Sequence, residues 1–105
     1  MNITDDEFEE KVIEQSKTKL VVVDFWATWC MPCNMLAPII DKAVKSFGSK
    51  VVLAKVNVDE CPDASNKFQI SAIPAVKLFK DSEVIDEFEG LQSEEIIKRK
   101  IEKAL

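Results

Sequence analysis

Two cysteines separated by two residues, in the stretch Trp29-Cys30-Met31-Pro32-Cys33, are the groups in this 105-residue chain best suited to do chemistry. An apolar run from Leu20 to Trp26 precedes them, and a helix-patterned segment opens at them and continues to Phe47. The pattern predicts a strand that delivers two thiols to the start of a helix. There the first backbone N–H groups lack intrahelical partners and the helix dipole is positive, so a thiolate is stabilised. The thiolate is the reactive form: a free thiol with a pKa of ~8.5 is only about 3% ionised at neutral pH, and a fall of ~1.5 makes that half. At i, i+3 on a first helical turn the two sulfurs can close into a small ring without moving the backbone far. The spacing therefore proposes a redox-active dithiol, with Cys30 at the tip exposed and nucleophilic and Cys33, one turn in, shielded. The competing reading is half of a zinc site, which needs two more ligands where only Cys61 and carboxylates remain.

Composition narrows the field. The chain has three cysteines and no histidine. The odd count argues against a disulfide framework, and the missing histidine removes Ser/His and Cys/His nucleophile pairs. With 47% hydrophobic and 31% charged residues over 105 positions, a single globular domain spanning residues 1–105 is expected. A net charge of −5 gives no electrostatic case for binding nucleic acid or an anionic membrane. Asp5, Asp6, Glu7, Glu9 and Glu10 crowd the first twenty residues, where no signal-peptide pattern is visible, and no apolar run is long enough to span a membrane. A cytoplasmic location follows as the expectation.

The elements that must hold the dithiol are read from periodicity. Thr4 to Glu7 matches a capping box opening a helix to about Gln15, with Phe8, Val12 and Ile13 on its apolar face. Only Met1-Asn2-Ile3 precede it, so any first strand is very short. Ser16 to Lys19 reads as a polar link into the central strand 20–26. The helix after the dithiol carries Cys33, Leu36, Ile39, Ile40, Ala43, Val44 and Phe47 on one stripe, with Asp41, Lys42 and Lys45 opposite; Pro38 should kink it, and Gly48 should stop it. Residues 51–58 form a second strand, and residues 59–68 a loop and short helix. Ala75–Lys80 and Glu83–Phe88 flank the turn Asp81-Ser82 as a hairpin whose acidic second strand suits a sheet edge. A last helix, capped by Ser93, places Ile96, Ile97, Ile101, Ala104 and Leu105 on one face. The order α-β-α-β-α-β-β-α implies an α/β fold, a mixed central sheet of four to five strands with helices on both faces.

Two further residues break the strand pattern. Asp24 lies within an otherwise apolar strand, where desolvation should raise its pKa and make it a proton acceptor near neutrality, unless it is simply hydrogen-bonded or faces solvent. Lys55 interrupts the second strand in the same way, so an Asp24–Lys55 pair is the natural compromise. Ile73-Pro74 stands directly before a strand, and the base rate for X–Pro bonds leaves it trans. Trp26 reads as packed, and Trp29 as lying beside Cys30.

Taken together, Val23-Asp24-Phe25-Trp26-Ala27-Thr28-Trp29-Cys30-Met31-Pro32-Cys33, Ala37-Pro38, residues 55–59, Ile73-Pro74 and Gly90 resemble the thioredoxin family along nearly the whole chain. The resemblance implies a thioredoxin-like fold and a protein disulfide reductase whose only redox group is the Cys30–Cys33 disulfide, with no cofactor and no metal. Cys30 would attack a target disulfide, Cys33 would resolve the mixed disulfide, and Asp24, assisted by Lys55, would take the Cys33 proton. Pro74 would be cis, and Trp29, Met31, Pro32, Val58, Ile73, Pro74 and Gly90 would form the docking surface. Its partners would be a thioredoxin reductase and disulfide-bearing proteins such as reductases and peroxidases, served by a monomer. The chain departs from the family pattern at Met31, where Gly is usual, at Ala75, where Thr is usual, and at Glu89 and Cys61. A binding module with an incidental dithiol is the rival from a different class.

Overall fold

Strand β1 (Leu20–Trp26) occupies the interior of a four-stranded sheet ordered β2-β1-β3-β4, where β2 is Val51–Asn57, β3 is Ala75–Lys80 and β4 is Glu83–Glu89. The structure, a computed structural model, describes all 105 residues. β1 runs parallel to β2 and antiparallel to β3, and β3 and β4 form a hairpin. Helix α1 (Met31–Lys45) makes the crossover that a parallel pair requires; α2 (Pro62–Lys67) follows β2, and α3 (Glu94–Ala104) closes the chain.

Alternation along β1 divides the interior into two cores. Leu20 and Val22 pack with Leu36, Ile40 and Val44 of α1 and with Ile97 and Ile101 of α3. Val21, Val23 and Phe25 point to the other face, against Phe8 and Val12 of the N-terminal segment and Ala64 of α2. Helices thus cover both faces, which is why β1 reads as continuously apolar apart from Asp24. By the same parity Asp24 points to the α1 side.

The N-terminal segment is helical over residues 5–17 but is not the regular α-helix expected. It joins a 3₁₀ turn (Asp5–Glu7), a π turn (Glu9–Glu14) and a second 3₁₀ turn (Gln15–Lys17). The buried residues Phe8, Val12 and Ser16 recur every four positions, longer than the 3.6-residue α repeat, and the wider π turn accommodates that spacing. Its start is capped as expected: the Glu7 carboxylate accepts from the Thr4 N–H at 3.0 Å and from the Thr4 hydroxyl at 3.2 Å.

Ser16 is not part of an exposed link; it is 1% exposed and anchors the β3–β4 hairpin. Its hydroxyl donates to the Ile13 carbonyl at 2.6 Å and accepts from the Ser82 N–H at 2.9 Å, while its carbonyl accepts from the Asp81 N–H at 2.8 Å. Asp81 and Ser82 both adopt positive φ, 51° and 71°, the two-residue turn whose twist matches a hairpin. Further along, the β3–β4 register slips between Leu78 and Phe79, leaving Ile85 as an extra, exposed residue on the edge strand.

α1 buries Cys33, Leu36, Ile40, Ala43 and Val44, and continues through Pro38, which lies exposed. Gly48, at φ 61°, turns the chain towards β2. In α3 only Ile97, Ile101 and Ala104 are buried; Ile96 and Leu105, expected on the same face, are exposed, Ile96 because it lies about 100° round the helix from Ile97. Residues 1–3 add a stub to the outer edge of β2, the Lys55 N–H donating to the Met1 carbonyl and the Ile3 N–H to the Lys55 carbonyl.

Candidate functional site

Cys30 is the N-cap residue of α1. Its extended backbone (φ −91°, ψ 106°) ends the loop from β1, and the Cys33 N–H donates to its sulfur at 3.2 Å. One of the unpaired N–H groups of the first helical turn is therefore directed at Cys30 Sγ, the position where a thiolate would gain most. Pro32 in that turn costs nothing, because the N–H it lacks would have no helical partner. Cys30 and Cys33 are joined as a disulfide, with their Cα atoms 5.3 Å apart.

Cys30 is only 5% exposed and Cys33 2%. The expectation of an exposed Cys30 is thus corrected: Ala27, Trp26, Val58 and Ile73 pack around the pair, and only a small part of the first cysteine reaches the surface. Cys30 Sγ lies 3.8 Å from the Ile73 carbonyl oxygen. The Ile73–Pro74 bond is cis, as the resemblance implied and the base rate did not. Gly90, at φ 78°, donates its N–H to the Pro74 carbonyl at 2.8 Å, which ties the end of β4 to this loop.

Around the disulfide, Trp29 and Met31 stand out at 69% and 72% exposed, and Pro32 is exposed beside them. The Trp29 indole N–H donates to Asp59 at 2.8 Å, which holds the ring against the loop after β2. Val58, Ile73 and Gly90 are half-buried. Pro74, expected among the docking residues, is buried.

Below the disulfide a cleft of about 130 Å³ is lined by Asn2, Asp24, Trp26, Cys33, Asn34, Ala37 and Lys55. Asp24 is 1% exposed, and its Oδ1 has no hydrogen-bond partner; the buried indole N–H of Trp26 has none either. Burial pushes the Asp24 carboxyl up to about 6; Lys55 pulls it down, and Asp41 pushes it up. Asp24 and Lys55 are register partners on β1 and β2, but they do not form the ion pair expected. The Lys55 ammonium reaches across to Asp41 on α1 instead, at 4.0 Å. By its spacing Asp41 falls on the polar face of α1 and nothing else marks it, because its contact with Lys55 depends on how α1 lies over β2.

Cys61 lies apart from the pair. It is 2% exposed, its thiol donates to the Ile3 carbonyl at 3.4 Å, and burial, with Asp5 and Glu60 nearby, pushes its pKa up. The largest cavity, about 560 Å³ between Lys17, Lys19, Lys50 and Lys80, contains none of the three cysteines. No helix is long and apolar enough to cross a membrane.

A disulfide held between a helix N-cap and a cis-proline loop, above a buried acid, can exchange with thiols presented at its surface. The family model described as Thioredoxin matches residues 1–103. A thioredoxin of Rickettsia bellii (strain RML369-C) is 48% identical over 90 residues, covering 86% of this chain and 84% of that protein. One of Staphylococcus haemolyticus (strain JCSC1435) is 39% identical over 105 residues, 100% of this chain and 97% of that protein. Thioredoxin M4, chloroplastic, of Arabidopsis thaliana is 38% identical over 104 residues, 99% of this chain and 53% of that protein. By the extent of this match and these identities, the chain belongs to the thioredoxin family of thiol–disulfide oxidoreductases.

Proposed function

We propose that this protein reduces disulfides of partner proteins in two exchange steps, with residues 1–105 acting as one domain. In the reduced form the Cys30 thiolate attacks one sulfur of the target disulfide. A bond forms between Cys30 and that sulfur, and the other target sulfur leaves as a thiolate that takes a proton. Asp24 then accepts the proton of the Cys33 thiol across the cleft they share. The Cys33 thiolate attacks Cys30 Sγ, the Cys30–Cys33 disulfide closes as the bond from Cys30 to the target breaks, and the second target sulfur departs as a thiolate that takes a proton. Two electrons have passed to the target. The observation that carries this reading is the Cys33 N–H aimed at Cys30 Sγ, which favours Cys30 over Cys33 as the attacking thiolate.

Trp29, Met31, Pro32, Val58 and Ile73 would supply the apolar contact for the target, with the Ile73 and Pro74 backbone and Gly90 bordering it. Lys55 would lower the cost of charging Asp24. The family implies a thioredoxin reductase as the electron source and disulfide-bearing proteins, reductases and peroxidases among them, as recipients, in the cytoplasm. With Cys33→Ser, attack survives and resolution does not, so incubation with a disulfide-linked peptide should accumulate one mixed disulfide on Cys30, located by mass spectrometry of the digested adduct. Adducts formed on Cys61 instead would overturn the assignment of roles.

A further inference from the structure

The contact between Lys55 and Asp41 has a consequence for Asp24, on the reading that Asp24 carries the Cys33 proton. Asp24 and Lys55 sit side by side on β1 and β2, facing the same side of the sheet, and a lysine so placed would ordinarily reach for the buried carboxylate. It does not. Lys55 Nζ lies 4.0 Å from Asp41 Oδ1, while Asp24 Oδ1 has no partner at all. Asp41 projects from α1 with nearly half its side chain in solvent, and the Lys55 side chain is 20% exposed. The lysine head is therefore drawn towards the surface, the side where its hydration is least disturbed.

We infer that Asp41 is a positioning residue of the redox site: by engaging Lys55 it keeps the ammonium from neutralising Asp24, and so leaves Asp24 able to exchange a proton at neutral pH. An ion pair between Asp24 and Lys55 would hold the carboxylate ionised and make it a weaker base. The other groups that face Asp24 cannot play this part. β3 sets Val76 opposite it, α1 sets Cys33, which is bonded to Cys30 in the oxidised protein, and the residues before the first helical turn set the neutral Asn2. Lys55 and Asp41 are the charged groups that bear on its titration, and they act in opposite directions. Asp41 thus works twice: its own charge opposes ionisation of Asp24, and it removes the charge that would favour it.

The test uses the oxidised, full-length protein, in which Cys33 does not titrate, with Asp24 followed directly by its side-chain carboxyl carbon in NMR. Asp41→Asn should lower the Asp24 titration midpoint by about half a pH unit or more, and Asp41→Glu should restore it. Asp41 is half-exposed, so neither variant threatens the core. Repeating Asp41→Asn in a Lys55→Met background separates the two effects: the shift should shrink by about half or more if Asp41 acts through the lysine. An unchanged midpoint in Asp41→Asn, or an equal shift with and without Lys55, overturns the inference. Resolution of the mixed disulfide is measured against pH in the same variants and in Asp24→Asn. A rate that ignores Asp24 would overturn the proton-carrier reading while leaving the carboxyl titration to decide the role of Asp41.

Discussion

Asp24 holds its proton to a higher pH in the folded protein than an unfolded chain would, and that difference couples the residue to stability. Between the unfolded value near 4 and the folded value of about 6, the native state binds more protons than the unfolded state. Stability therefore falls as pH rises through this window and is flat with respect to Asp24 above it. At about 1.4 kcal/mol per pH unit, the buried charge costs the fold about 2–3 kcal/mol at neutral pH. Asp24→Asn should thus be more stable than the parent by an amount of this order at about pH 7.5, a gap that closes as the pH falls to about 4. Denaturant unfolding at both values checks it; a gap independent of pH would mean that Asp24 titrates alike in the native and unfolded protein. The same variant should resolve mixed disulfides more slowly. That an acid in an apolar strand is unusual was readable from sequence, because residue type and strand parity suffice. Its lack of a partner was not, since the in-register Lys55 invites a pair, and only the packing of α1 over β2 brings Asp41 close enough to compete.

The hairpin β3–β4 and the N-terminal helical segment depend on each other through one residue, Ser16. Ser16 accepts from Ser82 with its side chain and from Asp81 with its carbonyl, so the turn that leads into the acidic edge strand is held from outside the sheet. Ser16→Ala removes the acceptor of a partly buried N–H and should cost about 1–3 kcal/mol, whereas Thr18→Ala, whose hydroxyl reaches only the nearby Gln15 carbonyl on the surface, should cost less than about 0.5. Urea unfolding measures both, and amide exchange at Ser82 should quicken in the first variant alone. Ser82 also sits at φ 71°, where a Cβ is disfavoured by about 1–2 kcal/mol; Ser82→Gly should recover part of that, offset by the greater freedom of glycine in the unfolded chain. Strands β1 to β4 and helices α1 and α3 were readable because apolar runs and stripes report burial directly. The π and 3₁₀ turns of residues 5–17 were not, because a four-residue spacing of Phe8, Val12 and Ser16 becomes visible only once Ser16 is known to be buried.

The first residues of the chain fasten the molecule on the side away from α1 and α3. Residues 1–3 pair with the edge of β2, and the Asp5 carboxylate caps α2 from 58 residues away, accepting from the Asp63 and Ala64 N–H groups at 3.0 Å each. Cys61, immediately before α2, is enclosed by this arrangement, its thiol against the Ile3 carbonyl. In the oxidised protein Cys61 is the one free thiol, so its reaction with a thiol reagent reports how often this corner opens. Loss of a helix cap typically costs about 1 kcal/mol. Because about 1.4 kcal/mol is a tenfold change in an equilibrium, Asp5→Ala should raise the labelling rate of Cys61 about five-fold. The effect should be local: opening of this corner leaves the α1–α3 core packed, so the exchange of amides in α1 should slow or quicken only by what the change in global stability requires. Equal acceleration at Cys61 and throughout α1 would mean that Cys61 reacts only when the whole protein unfolds, and that the N-terminal segment is welded to the sheet rather than laid over it. Independence of the two sides matters for the redox site, because Cys30 and Cys33 sit at the head of α1 and Cys61 belongs to the opposite core. A third thiol exposed by local opening could then be modified without disturbing the geometry that aims the Cys33 N–H at Cys30.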